Sequence, residues 1–139
     1  MSKFRCILFG ACLVLTGCGG GLPTSQLQSV QVAAEKAAEL EKSGNYAEAF
    51  PLIDGAISNG GLNPDQLSEA FLIRARCHCA SGKLAEAERD IDFAEQGAPN
   101  PASWHFSRAL LLAKQNKAAE SKAEYAKAVR IDSKLKMPP

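Results

Sequence analysis

Ala70–Pro99 reads AFLIRARCHCASGKLAEAERDIDFAEQGAP. Apolar or small residues recur at Phe71, Ala75 and His78/Cys79. Past a Ser81-Gly82-Lys83 break they return at Leu84, Ala87, Ile91 and Ala94. Steps of three and four residues put each set on one face of a helix. Two such helices joined by a tight Gly turn predict an antiparallel helical hairpin. One hairpin cannot bury its own apolar face, so this one needs neighbours of the same kind.

The flanking sequence supplies them. Upstream, Val30, Ala33, Ala37 and Leu40 form one face. A Ser43-Gly44-Asn45 break follows, and the pattern returns through Tyr46, Ala49, Ile53 and Ala56. Gly44-x-Tyr-Ala-Glu-Ala aligns with Gly82-x-Leu-Ala-Glu-Ala at an offset of 38 (44 to 82). Downstream, a third hairpin starts at Trp104 and breaks at Gln115-Asn116-Lys117. It returns through Ala118, Tyr125, Ala128 and Val129, at an offset of 34 (82 to 116). A two-helix unit recurring near 34 residues is a repeat signature. The expected fold is all-α: a solenoid of three antiparallel helix pairs, about six helices, with a short C-terminus that has no extra capping helix.

On these residues the chain resembles the tetratricopeptide repeat (TPR) family. The middle unit carries the pattern most fully, with Phe71, Ala75, Gly82, Leu84, Ala87, Ile91, Ala94 and Pro99. Small residues let the paired helices approach and large ones fill the space between them. The outer units depart in places: Ser121 stands where Ala is usual, Ser133 where Pro is usual, and Ala118 where an aromatic is usual. Extra residues around Asn59–Leu62 follow the first unit. Outer repeats are commonly atypical. The repeat domain is expected over 30–136, with units at about 30–63, 64–99 and 100–133.

Local signals fit this division. Asn63-Pro64 and Asn100-Pro101 place a capping residue before a Pro at the first helical position. Gly44 and Gly82 suit left-handed positions at helix ends. Pro51 falls inside the second helix and is expected to kink it without breaking it.

The N-terminus has a different character. Lys3 and Arg5 precede an uncharged apolar or small stretch from Cys6 to Gly17, the form of a secretory signal peptide over 1–17. The junction Leu15-Thr16-Gly17-Cys18 resembles the bacterial lipoprotein signal at all four positions. That resemblance implies cleavage before Cys18, a diacylglyceryl group on its thiol, and an acyl chain such as palmitate on the new amino terminus. Several acyl chains hold a protein on a membrane where one would not. Gly19 rather than Asp after the Cys resembles the Gram-negative pattern for outer-membrane delivery, facing the periplasm. Residues 18–29, lipidated Cys then Gly/Pro/Ser-rich, read as a flexible tether.

Charge gives little support for a nucleic-acid partner. Removing Lys3 and Arg5 from 16 basic residues leaves 14 against 15 acidic, net −1. The distribution is uneven: Val30–Gly60 holds five acidic and two basic residues, Lys114–Pro139 three acidic and seven basic. This reads first as solvated faces, and second as a docking surface or a route to head-to-tail self-association.

Candidate chemistry is sparse. Cys77-His78-Cys79 does not converge on one ion, because adjacent helical residues point about 100° apart. It reads as packing, with a Cys/His metal or redox site as the weaker alternative. Glu86, Glu88, Asp90 and Asp92 read as the solvent side of their helix. No nucleophile, phosphate-loop or HExxH motif occurs. The expectation is no enzyme, no cofactor and no metal.

The family resemblance implies a concave groove lined by the first helix of each unit. By position its residues are Gln31, Ala34, Ala38 and Glu41, then Glu69, Leu72, Arg76 and Cys79, then Ser103, Phe106, Leu110 and Lys114. The Lys and Asn that clamp a carboxylate in chaperone-binding relatives are absent from Ala34 and Ala38. Leu72, Arg76, Cys79, Phe106, Leu110 and Lys114 are therefore expected to line an apolar, charge-flanked groove for a peptide or amphipathic helix. The expected function is a membrane-anchored adaptor holding another envelope protein. The alternatives are a self-associating structural component and, less favoured, the metal or redox site.

Overall fold

The computed structural model describes residues 22–97 and 99–138. Six helices follow in order: α1 (Thr24–Lys42), α2 (Tyr46–Asn59), α3 (Pro64–Ala80), α4 (Leu84–Gln96), α5 (Pro101–Lys114) and α6 (Ala118–Ile131). The closest packing is within the pairs α1/α2, α3/α4 and α5/α6; α3 and α5 then carry each pair onto the next. This is the expected all-helical repeat arrangement. The middle pair is the most enclosed because it has a neighbour on each side.

The three reversals share one hydrogen-bond pattern. Asn45, Lys83 and Lys117 donate their N–H to the carbonyls of Leu40, His78 and Leu112 at 2.8, 2.9 and 2.9 Å. Gly44, Gly82 and Asn116 donate to Glu41, Cys79 and Ala113, and adopt left-handed φ of 82°, 77° and 61°. Each helix thus ends in a Schellman motif. Asn is one of the few side chains that tolerates this conformation, so it stands in for Gly in the third turn.

At the helix starts, Asn63 and Gln66 form a reciprocal capping box. Asn100 Oδ1 accepts from the N–H groups of Ala102 and Ser103. Pro64 and Pro101 follow these caps, where a missing N–H costs nothing. Helix α2 runs unbroken through Pro51. Ala47, whose carbonyl loses its partner there, is exposed to water.

Buried alanines sit at matching places in the three pairs: Ala37, Ala75 and Ala109 on the first helices, Ala56, Ala94 and Ala128 on the second. Ile53 and Ile91 fill the space that these small residues leave. Ser121, in the place of Ala49 and Ala87, is buried and donates its hydroxyl to the Ala109 carbonyl at 2.8 Å. That bond is what makes a buried hydroxyl tolerable there.

Two boundaries differ from expectation. Helix α1 begins at Thr24, so the second half of the expected tether is helical. Gly60 and Gly61, both at positive φ, lie beside the beginning of α1. A Cβ on Gly61 would meet the side chains of Leu22 and Leu27, so the extra residues after the first pair form a seat for the beginning of α1. At the other end, no helix follows α6 among the described residues. A non-helical strap, turning at Ser133–Lys134, nevertheless folds back over the last pair. Leu135 and Met137 pack on Phe106, Leu110 and Ala128, and Tyr125 Oη donates to the Leu135 carbonyl at 3.0 Å.

Candidate interaction surface

Helices α1, α3 and α5 lie side by side, and the residues expected to line a groove along them fall on their facing sides. The space is closed. Leu72 is 0% exposed and belongs to one core cluster with Ala75, Cys79, Ile91 and Leu111. Phe106 and Leu110 are buried in the cluster under the strap. Cys79 is buried, and burial pushes its thiol up to about 11. Of the expected groove residues, Lys114 in the last turn of α5 and Gln31 on α1 are left exposed. An open apolar groove at Leu72, Cys79, Phe106 and Leu110 is therefore corrected. Leu72 and Cys79 pack between units, and Phe106 and Leu110 pack against α6 and the strap, so none of them faces an open channel.

Arg76 shows what fills the centre instead. It is 6% exposed, and every nitrogen of its guanidinium is used within the chain. Nε and Nη2 donate to the two Glu41 carboxylate oxygens at 2.9 and 3.2 Å. Nη1 donates to Ser103 Oγ at 3.1 Å and Ser107 Oγ at 2.9 Å. Nη2 also reaches Glu69 Oε1 at 3.4 Å, and Ser103 Oγ donates to that same oxygen at 2.7 Å. Burial alone would lower the Arg76 pKa, but the facing carboxylates of Glu41 and Glu69 outweigh it and hold the guanidinium charged. One cation thus ties the first helix of each pair to the others. It is committed internally and does not flank a peptide site.

A second ion-pair cluster joins the pairs beside this one. Arg74 grips Asp90 through Nε at 2.9 Å and Nη2 at 2.7 Å, and Asp54 through Nη1 at 2.7 Å. Its hydrogen bonds to Asp90 lead in raising its pKa. Asp90 is buried, so it does not belong to the solvent side of α4. Helical position alone could not reveal this, because its partner Arg74 comes from α3. His78 approaches the same carboxylate, Nε2 to Oδ2 at 3.7 Å, and stands edge-on to Phe50. Its buried Nδ1 has no hydrogen-bond partner. Burial lowers its pKa, against the opposing pull of Asp90.

The Cys-His-Cys triplet is packing. Cys77, His78 and Cys79 are all buried, and burial raises the Cys77 thiol to about 11 as well. No group of three or more His, Cys, Asp and Glu side chains that could hold a metal occurs among the described residues.

Three surface features were not legible from the sequence. An open cleft of about 530 Å³ lies where the first turn meets the end of α3, lined by Tyr46, Phe50, Cys77, Ser81 and Lys83 among others. Phe93, 55% exposed, stacks on Phe71 at 5.6 Å, and Arg74 covers the Phe71 ring. The strap on α5 and α6 is the third. Its residues were expected to leave that end bare, and only the alternation of Lys134 and Lys136 with Leu135 and Met137 hints that one side is apolar.

Cys18 and the lipoprotein junction lie outside the described residues. No helix among those described is long and apolar enough to cross a membrane. Compared with known proteins, the chain matches no family model and no curated protein.

Proposed function

We propose that this is a lipid-anchored adaptor of the tetratricopeptide repeat type in a bacterial envelope. Acyl chains on Cys18 hold it on the membrane, in a Gram-negative host the periplasmic face of the outer membrane. Its helical array binds another envelope protein. The reading takes no catalytic step, cofactor or metal, and no nucleic acid.

The observation that supports it best is the threefold recurrence of one helical hairpin. Gly44, Gly82 and Asn116 make the same turn, and Ala37, Ala75 and Ala109 make the same close approach. Stacks of this kind present surface built from several units at once, which suits extended partners. The buried Arg76 network makes those units one body.

The test is crosslinking in the native cell, with identification of what is captured. The wild-type chain is expected in the membrane fraction, crosslinked to an envelope protein. Cys18→Ser is expected to leave that fraction and lose the crosslink. Unchanged fractionation of Cys18→Ser would remove the anchor, and absence of any captured protein would remove the adaptor.

A further inference from the structure

The strap has the form of a bound ligand. It turns at Ser133–Lys134, where the Leu135 N–H donates to the Asp132 carbonyl at 3.3 Å, and then runs without helix to residue 138, with Leu135 and Met137 packed on the last pair and Lys134 and Lys136 exposed beside them. Its attachment to α5 and α6 is two half-buried side chains and one hydrogen bond from Tyr125. Lys134 and Lys136 form no ion pair among the described residues.

The strap and the pair it lies on both carry more basic than acidic residues. Helix α6, one wall of the seat, carries Lys122, Lys127 and Arg130 against Glu120 and Glu124, and α5, the other wall, adds Arg108 and Lys114 with no acidic residue. Among the described residues Lys127 alone of the three basic residues on α6 is paired, with Glu124 at 2.7 Å. A basic strap on a basic wall is repelled, while an acidic segment of the same apolar pattern is attracted over about 8–10 Å at moderate salt.

We propose that the strap is a placeholder, and that its seat on Phe106, Leu110, Tyr125 and Ala128 receives an extended acidic segment of a partner protein. That segment carries two large apolar side chains two positions apart, in the places of Leu135 and Met137. This rests on the adaptor reading and assigns it a site and a partner chemistry. The partner displaces the strap, so the seat is covered until an acidic competitor arrives.

The test uses the full chain and two fluorescent peptides. One has the strap sequence with Glu at the positions of Lys134 and Lys136; the other keeps the lysines. Binding is read by anisotropy on the wild type, on the double variant Leu135→Ser/Met137→Ser, and on Tyr125→Phe. The double variant should bind the acidic peptide about tenfold more tightly than the wild type, because an occupied seat reduces apparent affinity by the fraction of time it is open. Tyr125→Phe keeps the ring packing and removes only the strap's hydrogen bond. It should show a smaller gain in the same direction, even if the double variant does not fold. The lysine peptide should bind more weakly, and added salt should narrow the difference. Equal affinity of variants and wild type, no binding to either, or no preference for the acidic peptide would each overturn the proposal. So would a wild-type dimer in sedimentation that the double variant abolishes, since the seat would then serve a second copy. An envelope protein captured in the cell without peptide uptake in solution would sink the strap proposal and leave the adaptor standing.

Discussion

Arg76 and Glu41, 35 residues apart in the chain, meet in a two-pronged ion pair with both side chains buried. Removing one member of a buried pair costs more than removing both, because the remaining charge keeps its desolvation cost and loses its partner. Arg76→Ala should therefore destabilise the fold by about 3–5 kcal/mol in urea denaturation. The double change Arg76→Met/Glu41→Leu should recover most of that loss. If Arg76→Ala alone is nearly neutral, the network does not join the three pairs as described.

Asp90 and Asp92 lie two residues apart on α4 with opposite fates. Asp90 is buried against Arg74, whereas Asp92 is exposed. Asp90→Asn should lose about 1.5–3 kcal/mol, the usual worth of hydrogen bonds to a charged group. Asp92→Asn should change stability by less than about 0.5 kcal/mol, as surface substitutions do. Thermal melts of the two variants decide it.

His78 makes the fold sensitive to mild acid. Burial holds its pKa below the ordinary 6.5. The unfolded chain therefore takes up a proton at higher pH than the folded chain. The stability linked to this group is complete above pH 6.5 and falls as pH drops through the window beneath it. The urea midpoint should decline from pH 7 toward pH 5, and His78→Gln should flatten that decline. Glu124 acts separately. Burial raises its pKa, but its bonds with Lys127 and His105 outweigh this and hold it below the ordinary 4.5, so its contribution fades only at lower pH.

Gly82 and Asn116 test the shared turn. Both are left-handed, and no atom stands near enough to Gly82 to obstruct a Cβ. The cost of Gly82→Ala is then purely conformational, about 1–2 kcal/mol. Asn116→Gly should be neutral within about 0.5 kcal/mol, since it trades a tolerant side chain for a freer backbone. Chemical denaturation of both variants checks the pair.

Cys77 and Cys79 should resist thiol reagents at neutral pH. Both are buried with pKa values raised to about 11, so the reactive thiolate is scarce. Peptide mapping after labelling should find both unmodified in the folded chain and modified in denaturant. Rapid labelling of Cys79 without denaturant would mean that the space between α3 and α5 opens in solution.

What could be read from the chain was local. Helical spacing, the Gly and Asn of the turns, the Asn-Pro caps and the repetition of all three at 38 and 34 residues located six helices in three pairs. Those signals act within one turn or one helix, so a linear string records them. The tertiary structure alone decided which polar residues are inside. Arg76 and Asp90 stand at helical positions that a single helix would leave to solvent, and their burial depends on Glu41 and Arg74 arriving from other helices. It also decided that Leu72, Phe106 and Leu110 close the groove they were expected to line, and that the strap from Asp132 covers an end that spacing had left bare. The physical reason is the same each time. Burial is a property of how closely whole elements approach, and that distance is set by side chains on both of them.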